Sequence, residues 1–451
     1  MRAEGIAFEA RTRSLCPVCL KQVDASVRII EGKVSISKEC DKHGSFESPH
    51  FWGDEVLYHA MKRIADMCDD GVPPDNLGLY LTQKCDLSCS YCYLKDNEEG
   101  MEEPSISDVL DYVSGFKGST VILSGGEPTL RDDLPEIIKV VRERGYMIVL
   151  ATNGMRLSRE YVEDLKSCGL GMVMLSFTTF KEEYSERLQG INTVEAKRSA
   201  VRNLNDACIP LFLYIPVLRG VNDSEIGAFI DYAKSVNAVR AVDFNVTTHP
   251  GGFSDKLTLT QKEIIDVIGE HTGVGVEDFT DCTLSVHLAS EALRKVLGGG
   301  RRSSGCYLRL YFLRSGEVLS PVSGILDLKY VNMRLLSANA ILDSKSPLRR
   351  IKALSIIAGL FLSTAWRNQE GMMLCSSVVR SIASRRGGSS AGGGLLCINV
   401  MRFNDRFNAD LGFTRACCSH SIRNASEKPM CACIREMYFC RPPVFKKRNL
   451  K

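Results

Sequence analysis

Six apolar, β-rich runs separated by amphipathic stretches constrain what this chain can fold into more than any other feature. The strand candidates are Leu79 to Thr82, Thr120 to Ser124, Met147 to Ala151, Met172 to Phe177, Leu211 to Val217 and Val242 to Val246. Between them Asp133 to Arg144, Arg159 to Ser167, Val194 to Ala207 and Ser224 to Val236 carry apolar residues at helical spacing. Repeated β/α order pairs strands in parallel through right-handed crossovers. An α/β fold is expected, with the sheet closed or partly closed as a barrel and its chemistry gathered at the C-terminal strand ends.

The flanks divide the chain into three expected segments. Residues 1–75 carry their own cysteines, residues 76–257 hold the alternation, and residues 258–451 lose it. Glycine- and serine-rich runs at 297–305 and 386–395 are expected to be loops or insertions. A length of 451 residues favours more than one domain. The run Ile351 to Trp366 is strongly apolar but contains Lys352. It falls short of the about 20 residues that a bilayer span needs. A helix buried in the core and one lying at an interface both remain open, the first preferred.

Charged residues make up 25% and the formal net charge is +3, so no global field points to nucleic acid or an anionic surface. The opening MRAEGIAFEARTRS lacks the apolar centre of a secretory signal, and a cytoplasmic protein is expected. Eighteen cysteines in a reducing compartment point to metal ligation rather than disulfides. Cys168 and Cys208, isolated among apolar neighbours, are expected to be simple buried hydrophobes.

The first strand candidate runs into Thr82-Gln-Lys-Cys85-Asp-Leu-Ser-Cys89-Ser-Tyr-Cys92-Tyr93. This C-x3-C-x2-C spacing lets one loop bind three irons of a [4Fe-4S] cubane and leaves the fourth open to a chelating substrate. Structural zinc would want a fourth local ligand, and none follows Cys92 at suitable spacing. The segment resembles the radical S-adenosylmethionine (SAM) superfamily, and the likeness extends over about residues 76–250. It implies a partial (β/α)6-type barrel in which SAM chelates the open iron. Tyr91 then matches the aromatic position beside the adenine. Gly125-Gly126-Glu127-Pro128 matches the superfamily's GGEP element, with the glycines permitting close approach to the methionine moiety and Glu127 facing its ammonium. Asn153, Ser176 and Arg219 match positions that contact the SAM ribose or carboxylate.

Two further groups of cysteines flank this motif. Cys16-x2-Cys19 and Cys40-x2-His43 form two knuckles across a β-rich stretch, a four-ligand pattern for mononuclear zinc or iron. Cys68 is the alternative fourth ligand should His43 serve only the loop. In the last third stand Cys282, Cys306, Cys375, Cys397, Cys417, Cys418, Cys431, Cys433 and Cys440, enough for one or two auxiliary [4Fe-4S] clusters. Cys306, Cys417 and Cys431 are the first ligand candidates, with Cys282 and Cys418 next.

Across nearly the full length the chain resembles the archaeal tetraether lipid synthase group. SLCPVCLKQVDASV, KECDKHGSFESPHFWGD, CDLSCSYCYL, SGCYLRLYFLRSGEVLSPV, NVMRFNDRFNADL, CCSHS and PMCAC carry the likeness. It implies an N-terminal metal-binding domain, a C-terminal iron-sulfur domain and carbon–carbon coupling of isoprenoid chains of archaeol-type lipids. The implied partners are that lipid and a reductant such as ferredoxin or flavodoxin, with peripheral contact at the membrane inner face left open. The chain departs from the group in the long insertion between Cys282 and Cys306 and in Cys433, which stands where a tyrosine is expected. A radical SAM methyltransferase or other carbon–carbon bond-forming enzyme acting on a small molecule such as a pterin is the alternative. An iron-sulfur electron carrier is the non-enzyme alternative, against which the intact GGEP element speaks.

Overall fold

The computed structural model describes residues 6–431 except 51, 69–73, 93, 95–101, 247–257, 298–306, 344–345, 388–393, 403–404, 415–416, 418 and 423–429. The chain begins with four antiparallel strands, β1 (Ile6–Leu15), β2 (Gln22–Ile30), β3 (Lys33–Cys40) and β4 (Gly44–Pro49), paired in sequence order. Strict burial alternation on β2 and β3 turns Ala25, Val27, Ile29, Val34 and Ile36 to one inner face. Helix α1 (Glu55–Asp66), capped by Asp54, packs Leu57, Tyr58, Met61 and Ile64 into the core beside this small sheet.

Six parallel strands then follow in chain order: β5 (Asn76–Tyr80), β6 (Thr120–Ser124), β7 (Met147–Thr152), β8 (Met172–Ser176), β9 (Leu211–Val217) and β10 (Val239–Val246). The crossovers carry α2 (Ile106–Val113), α3 (Leu134–Glu143), α4 (Arg159–Ser167), α5 (Glu182–Gln189), α6 (Val194–Asp206) and α7 (Ile226–Ser235). The six expected strands are all present, and β6 and β9 have the expected bounds. The first strand lies earlier than expected, Asn76–Tyr80 rather than Leu79 to Thr82. Leu81 and Thr82 begin the cysteine loop instead.

Beyond Thr258 the decay expected from sequence gives way to further order. Helices α8 (Gln261–Thr272) and α9 (Val276–Leu297) lead to β11 (Tyr307–Ser315) and β12 (Val318–Pro321). The short α10 (Val322–Ile325), then α11 (Leu328–Leu342), α12 (Pro347–Ala365) and α13 (Gln369–Gly387), precede β13 (Leu395–Arg402), β14 (Ser419–Ile422) and β15 (Met430–Cys431). β13 pairs in parallel with β10, and β14 in parallel with β5. The core sheet thus continues into residues beyond Thr258, giving the order β12-β11-β13-β10-β9-β8-β7-β6-β5-β14-β15. The architecture is mixed α/β, a partial parallel barrel with a small N-terminal metal-binding sheet.

Three local expectations fail for tertiary reasons. Cys208 is exposed and Cys168 half-buried, because both sit just past helix ends rather than on inward faces. The apolar run at 351–366 is a helix, but Ala353 is its one fully buried residue, so core burial is overturned. No helix among the described residues is long and apolar enough to cross a membrane.

Candidate active site

The loop carrying Cys85, Cys89 and Cys92 leaves the C-terminal end of β5 and is tied on three sides. Ser88 N and Ser90 N donate to the carbonyls of Gln189 (3.0 Å) and Leu188 (2.8 Å) at the end of α5. Asn153 Nδ2 donates to Asp86 Oδ1 at 2.7 Å. On the third side, Gly126 N and Glu127 N donate to Thr82 O (2.7 Å) and Lys84 O (2.8 Å). Cys85 is exposed, and Cys89 and Cys92 are half-buried. Desolvation pushes the Cys85 thiol up to about 11 and raises that of Cys89, so metal loading must displace protons. Three thiolates from one loop suit three corners of a cluster.

The Gly125–Pro128 turn meets this loop backbone to backbone. A Cβ on Gly126 would stand 2.3 Å from Lys84 O, and one on Gly125, at φ +146°, 2.3 Å from Thr82 O. The glycines therefore permit close approach to the cysteine loop itself, a use that the sequence reading did not assign. Glu127 is fully buried. Its Oε1 accepts from Thr129 N (3.0 Å), Thr129 Oγ1 (2.6 Å) and Thr152 Oγ1 (2.7 Å), while Oε2 accepts from Asn153 N (2.7 Å). Burial raises its pKa against these four donors. Glu127 thus ties the β6 turn to the end of β7, and Oε2 retains acceptor capacity. Pro128, buried, opens the short 3-10 turn that follows.

The remaining candidates separate. Tyr91 OH lies 2.7 Å from Thr178 Oγ1, just past Ser176 at the end of β8, and its ring packs with Leu188, Leu218, Val221 and Tyr184. Asn153 spends its side chain on Asp86, so it fixes the loop. Arg219 does not reach the group: it is exposed, donating to Thr258 O at 3.0 Å and to Glu263 Oε1 at 2.8 Å. Arg219 here makes a surface ion pair, because the turn after β9 points it at the start of α8.

The structure supplies a cation that sequence reading missed. Lys197 on α6 is 1% exposed, and its Nζ has no hydrogen-bond partner among the described residues. Burial lowers its pKa to about 8, opposed by the charges of Cys89 and Glu127, which lie within electrostatic reach of the amine. A buried, unpaired ammonium beside a thiolate-bearing loop is poised to receive a carboxylate. The only local signal was a lysine at an otherwise inward-facing position of an amphipathic helix.

A polar layer also crosses the barrel. Ser176, Tyr214, Asp243, Asn399 and Arg309 are successive register partners across β8, β9, β10, β13 and β11. Their neighbours on these strands, such as Leu175, Leu213, Val242, Ile398 and Leu310, belong to the apolar core, so by strand alternation the polar set faces inward. Asn399 Nδ2 donates to Asp243 Oδ1 at 2.5 Å, and burial pushes Asp243 up to about 6. The signal in sequence was Asp243 within β10 and Asn399 within β13, strands whose other residues are mostly apolar.

In the N-terminal sheet, ligand atoms of Cys16, Cys19, Cys40 and His43 all lie within 4.8 Å of one another. His43 Nδ1 stands 3.5 Å from both Cys16 Sγ and Cys40 Sγ. A hydrogen bond from the Lys42 amide leads the causes that lower Cys40 to about 6, readying a thiolate. Three sulfurs, two from one knuckle and one from the other, and one imidazole suit a tetrahedral ion, and Cys68, hydrogen-bonded to Ile64 O, is not in the group. The sheet docks on the segment after β13: Lys38 Nζ donates to Arg406 O (2.7 Å), Ser14 Oγ to Ala409 O (2.5 Å) and Ser48 Oγ to Phe407 O (2.7 Å).

The C-terminal cysteines do not form a second such group among the described residues. Cys282 on α9 and Cys397 on β13 are buried around Tyr311 and Arg309, with burial pushing the thiols up to about 11 and about 12. Cys417 donates to Ser419 O, and Cys431 lies on β15, at the opposite edge of the sheet order. Cys306, Cys418, Cys433 and Cys440 lie outside the described residues.

Comparison with known proteins matches residues 79–233 to the model of the radical SAM superfamily. This chain carries a radical SAM domain. Residues 8–50 match the HMPTM N-terminal zinc ribbon domain. The chain is 28% identical to the 7,8-dihydro-6-hydroxymethylpterin dimethyltransferase of Methanocaldococcus jannaschii, over 92% of this chain and 90% of that protein. It is 33% identical to a probable GTP 3′,8-cyclase of Pyrococcus abyssi, over 38% of this chain and 56% of that protein. Among solved structures, Streptococcus suis SuiB bound to S-adenosylmethionine gives a TM-score of 0.38 at 17% identity, over 44% of this chain and 47% of that one. Radical SAM proteins imply a [4Fe-4S] cluster and SAM. The residues fit both: Cys85, Cys89 and Cys92 would hold the cluster, and the buried, unpartnered Lys197 amine suits the carboxylate of SAM.

Proposed function

We propose that this radical SAM enzyme forms carbon–carbon bonds, with methyl addition to a reduced pterin as its substrate reading. The chain-wide likeness to a named pterin dimethyltransferase is what carries that reading. When bound, cluster and SAM supply one-electron cleavage of SAM to methionine and a 5′-deoxyadenosyl radical able to take hydrogen from an unactivated carbon. The protein's part is positional. Glu127 and Asn153 lock the turn and the cysteine loop in register, Lys197 anchors the SAM carboxylate, and Tyr91 walls the site at the end of β8. Asp243, Asn399 and Arg309 face inward, where an uncharged heterocycle with donor and acceptor edges finds partners. Lys197 also speaks against a bare electron carrier, which has no use for a buried unpaired ammonium.

Coupling of isoprenoid lipid chains is the second reading, favoured by the exposed apolar helix α12 and by the tetraether synthase-like segments. Auxiliary clusters ligated by Cys306, Cys417 and Cys431, with Cys282 and Cys418 next, belong to either reading. Iron above that of the SAM cluster and the N-terminal site is the check. Anaerobic incubation of reconstituted protein with SAM, reductant and either a dihydropterin or an archaeol-type lipid separates the readings by product mass. Methylated pterin supports the first. Lipid that has lost hydrogens without gaining methyl groups sinks it and supports the second. 5′-Deoxyadenosine unresponsive to both substrates refutes both.

A further inference from the structure

Of the fifteen large apolar side chains exposed among the described residues, six lie between Leu348 and Trp366. Leu348 is 79% exposed, Ile351 63%, Leu362 56% and Trp366 86%, with Leu354 and Phe361 beside them. These positions recur at helical spacing and form one stripe along α12. The opposite face is already satisfied: Ala353, with Ile356 and Ile357, packs against Ala338 and Leu342 of α11 and Ala292 of α9. The helix is therefore anchored to the protein by one side while a second apolar side is presented outward. Such a patch marks an interaction surface.

Charge selects what covers it. From residue 344 to residue 369 the sequence contains no Asp or Glu, but it contains Lys345, Arg349, Arg350, Lys352 and Arg367. On the helical wheel Lys352 borders one edge of the stripe and Arg350 the other. The nearest acidic neighbours are engaged, Asp343 with Lys295 at 2.6 Å and Glu370 with Ser320 at 2.8 Å. A second copy of the same helix would bring basic residues against basic residues in either orientation, with no carboxylate in the stretch to offset them. An anionic bilayer offers both missing complements, an apolar interior for the stripe and phosphate headgroups for its rim. Trp366 at the far end is the side chain that prefers that boundary.

The geometry points to α12 as the site by which this enzyme docks on the surface of an anionic lipid bilayer, lying in the interface without crossing it. Docking places the exposed apolar side of α12 against the headgroups. This inference is independent of which substrate the barrel takes.

The test uses full-length purified protein and two vesicle preparations, phosphatidylcholine alone and equal parts phosphatidylcholine and phosphatidylglycerol. The chain has two tryptophans; Trp52 is fully buried and Trp366 exposed, so a blue shift of emission on vesicle addition reports Trp366. Flotation with the phosphatidylglycerol vesicles and a blue shift are expected, both weakened by salt. Arg350→Gln with Lys352→Gln should weaken binding about 25-fold, at about fivefold for each basic residue near the surface. Ile351→Gln with Leu362→Gln, both at exposed positions, should abolish binding while leaving the circular dichroism spectrum unchanged. Failure to float on anionic vesicles overturns the proposal, as does equal binding to neutral ones. A concentration-dependent dimer that the Ile351/Leu362 variant loses, without vesicle binding, assigns the stripe to a second copy and likewise overturns it.

Discussion

Replacing Lys197 by methionine should separate SAM anchoring from structural support, because the two roles move stability and affinity in opposite directions. In the SAM-free protein burial lowers the Lys197 pKa from 10.5 to about 8. That displacement corresponds to an order of about 3 kcal/mol held against the fold while the amine is charged. The penalty is fully present below about pH 8 and fades as pH approaches 10.5, where the unfolded chain also loses its proton. Lys197→Met, similar in length and apolar, should therefore raise the unfolding free energy of the SAM-free protein near pH 7 by up to about 3 kcal/mol. It should also weaken SAM binding by about ten- to a hundredfold, from the loss of a charge-assisted pair of about 1.5 to 3 kcal/mol. In the wild type, affinity should decline as pH rises through the Lys197 pKa, whereas the variant should show no such decline. The negative charge of a bound cluster shifts that midpoint upward without changing its direction. Denaturant unfolding and equilibrium dialysis with labelled SAM across this range are the assays. Unchanged SAM affinity together with lowered stability would make Lys197 a structural amine and refute the reasoning.

Alanine at Cys85, Cys89 or Cys92 should abolish reductive SAM cleavage, since the loop has no spare thiolate; 5′-deoxyadenosine at wild-type yield in any of the three would contradict the cluster assignment. Cys16→Ser should release the N-terminal metal and loosen the docking of Lys38 and Ser48 on residues 406–409, read as loss of about one equivalent of zinc or iron and faster proteolysis of that segment. Asp243→Asn should stabilise the substrate-free protein above about pH 6, where the raised pKa makes the buried carboxylate costly, by up to about 3 kcal/mol. The same change should cut substrate-dependent turnover while leaving SAM affinity intact; unaltered turnover would remove Asp243 from the substrate site.

Features whose determinants lie close together in the chain were legible from sequence. Three thiolates on one loop, a glycine pair next to an acid, and two C-x2-C/H knuckles are set by local spacing, and strand–helix alternation by local periodicity. Tertiary structure decided what depends on facing and register. Arg219 and Asn153 occupy strand-end positions equally suited to binding, yet the first turns to Glu263 and the second to Asp86. Lys197 differs from a solvent-facing helix lysine only in the direction its helix presents it. Asp243, Asn399 and Arg309 come from distant segments and meet because β13, more than a hundred residues after β10, pairs beside it. The apolar run at Ile351 to Trp366 shows the same limit from the other side. Its composition fixes a helix that water disfavours, but only the packing of its far face on α11 determines that the remaining face stays outside the core.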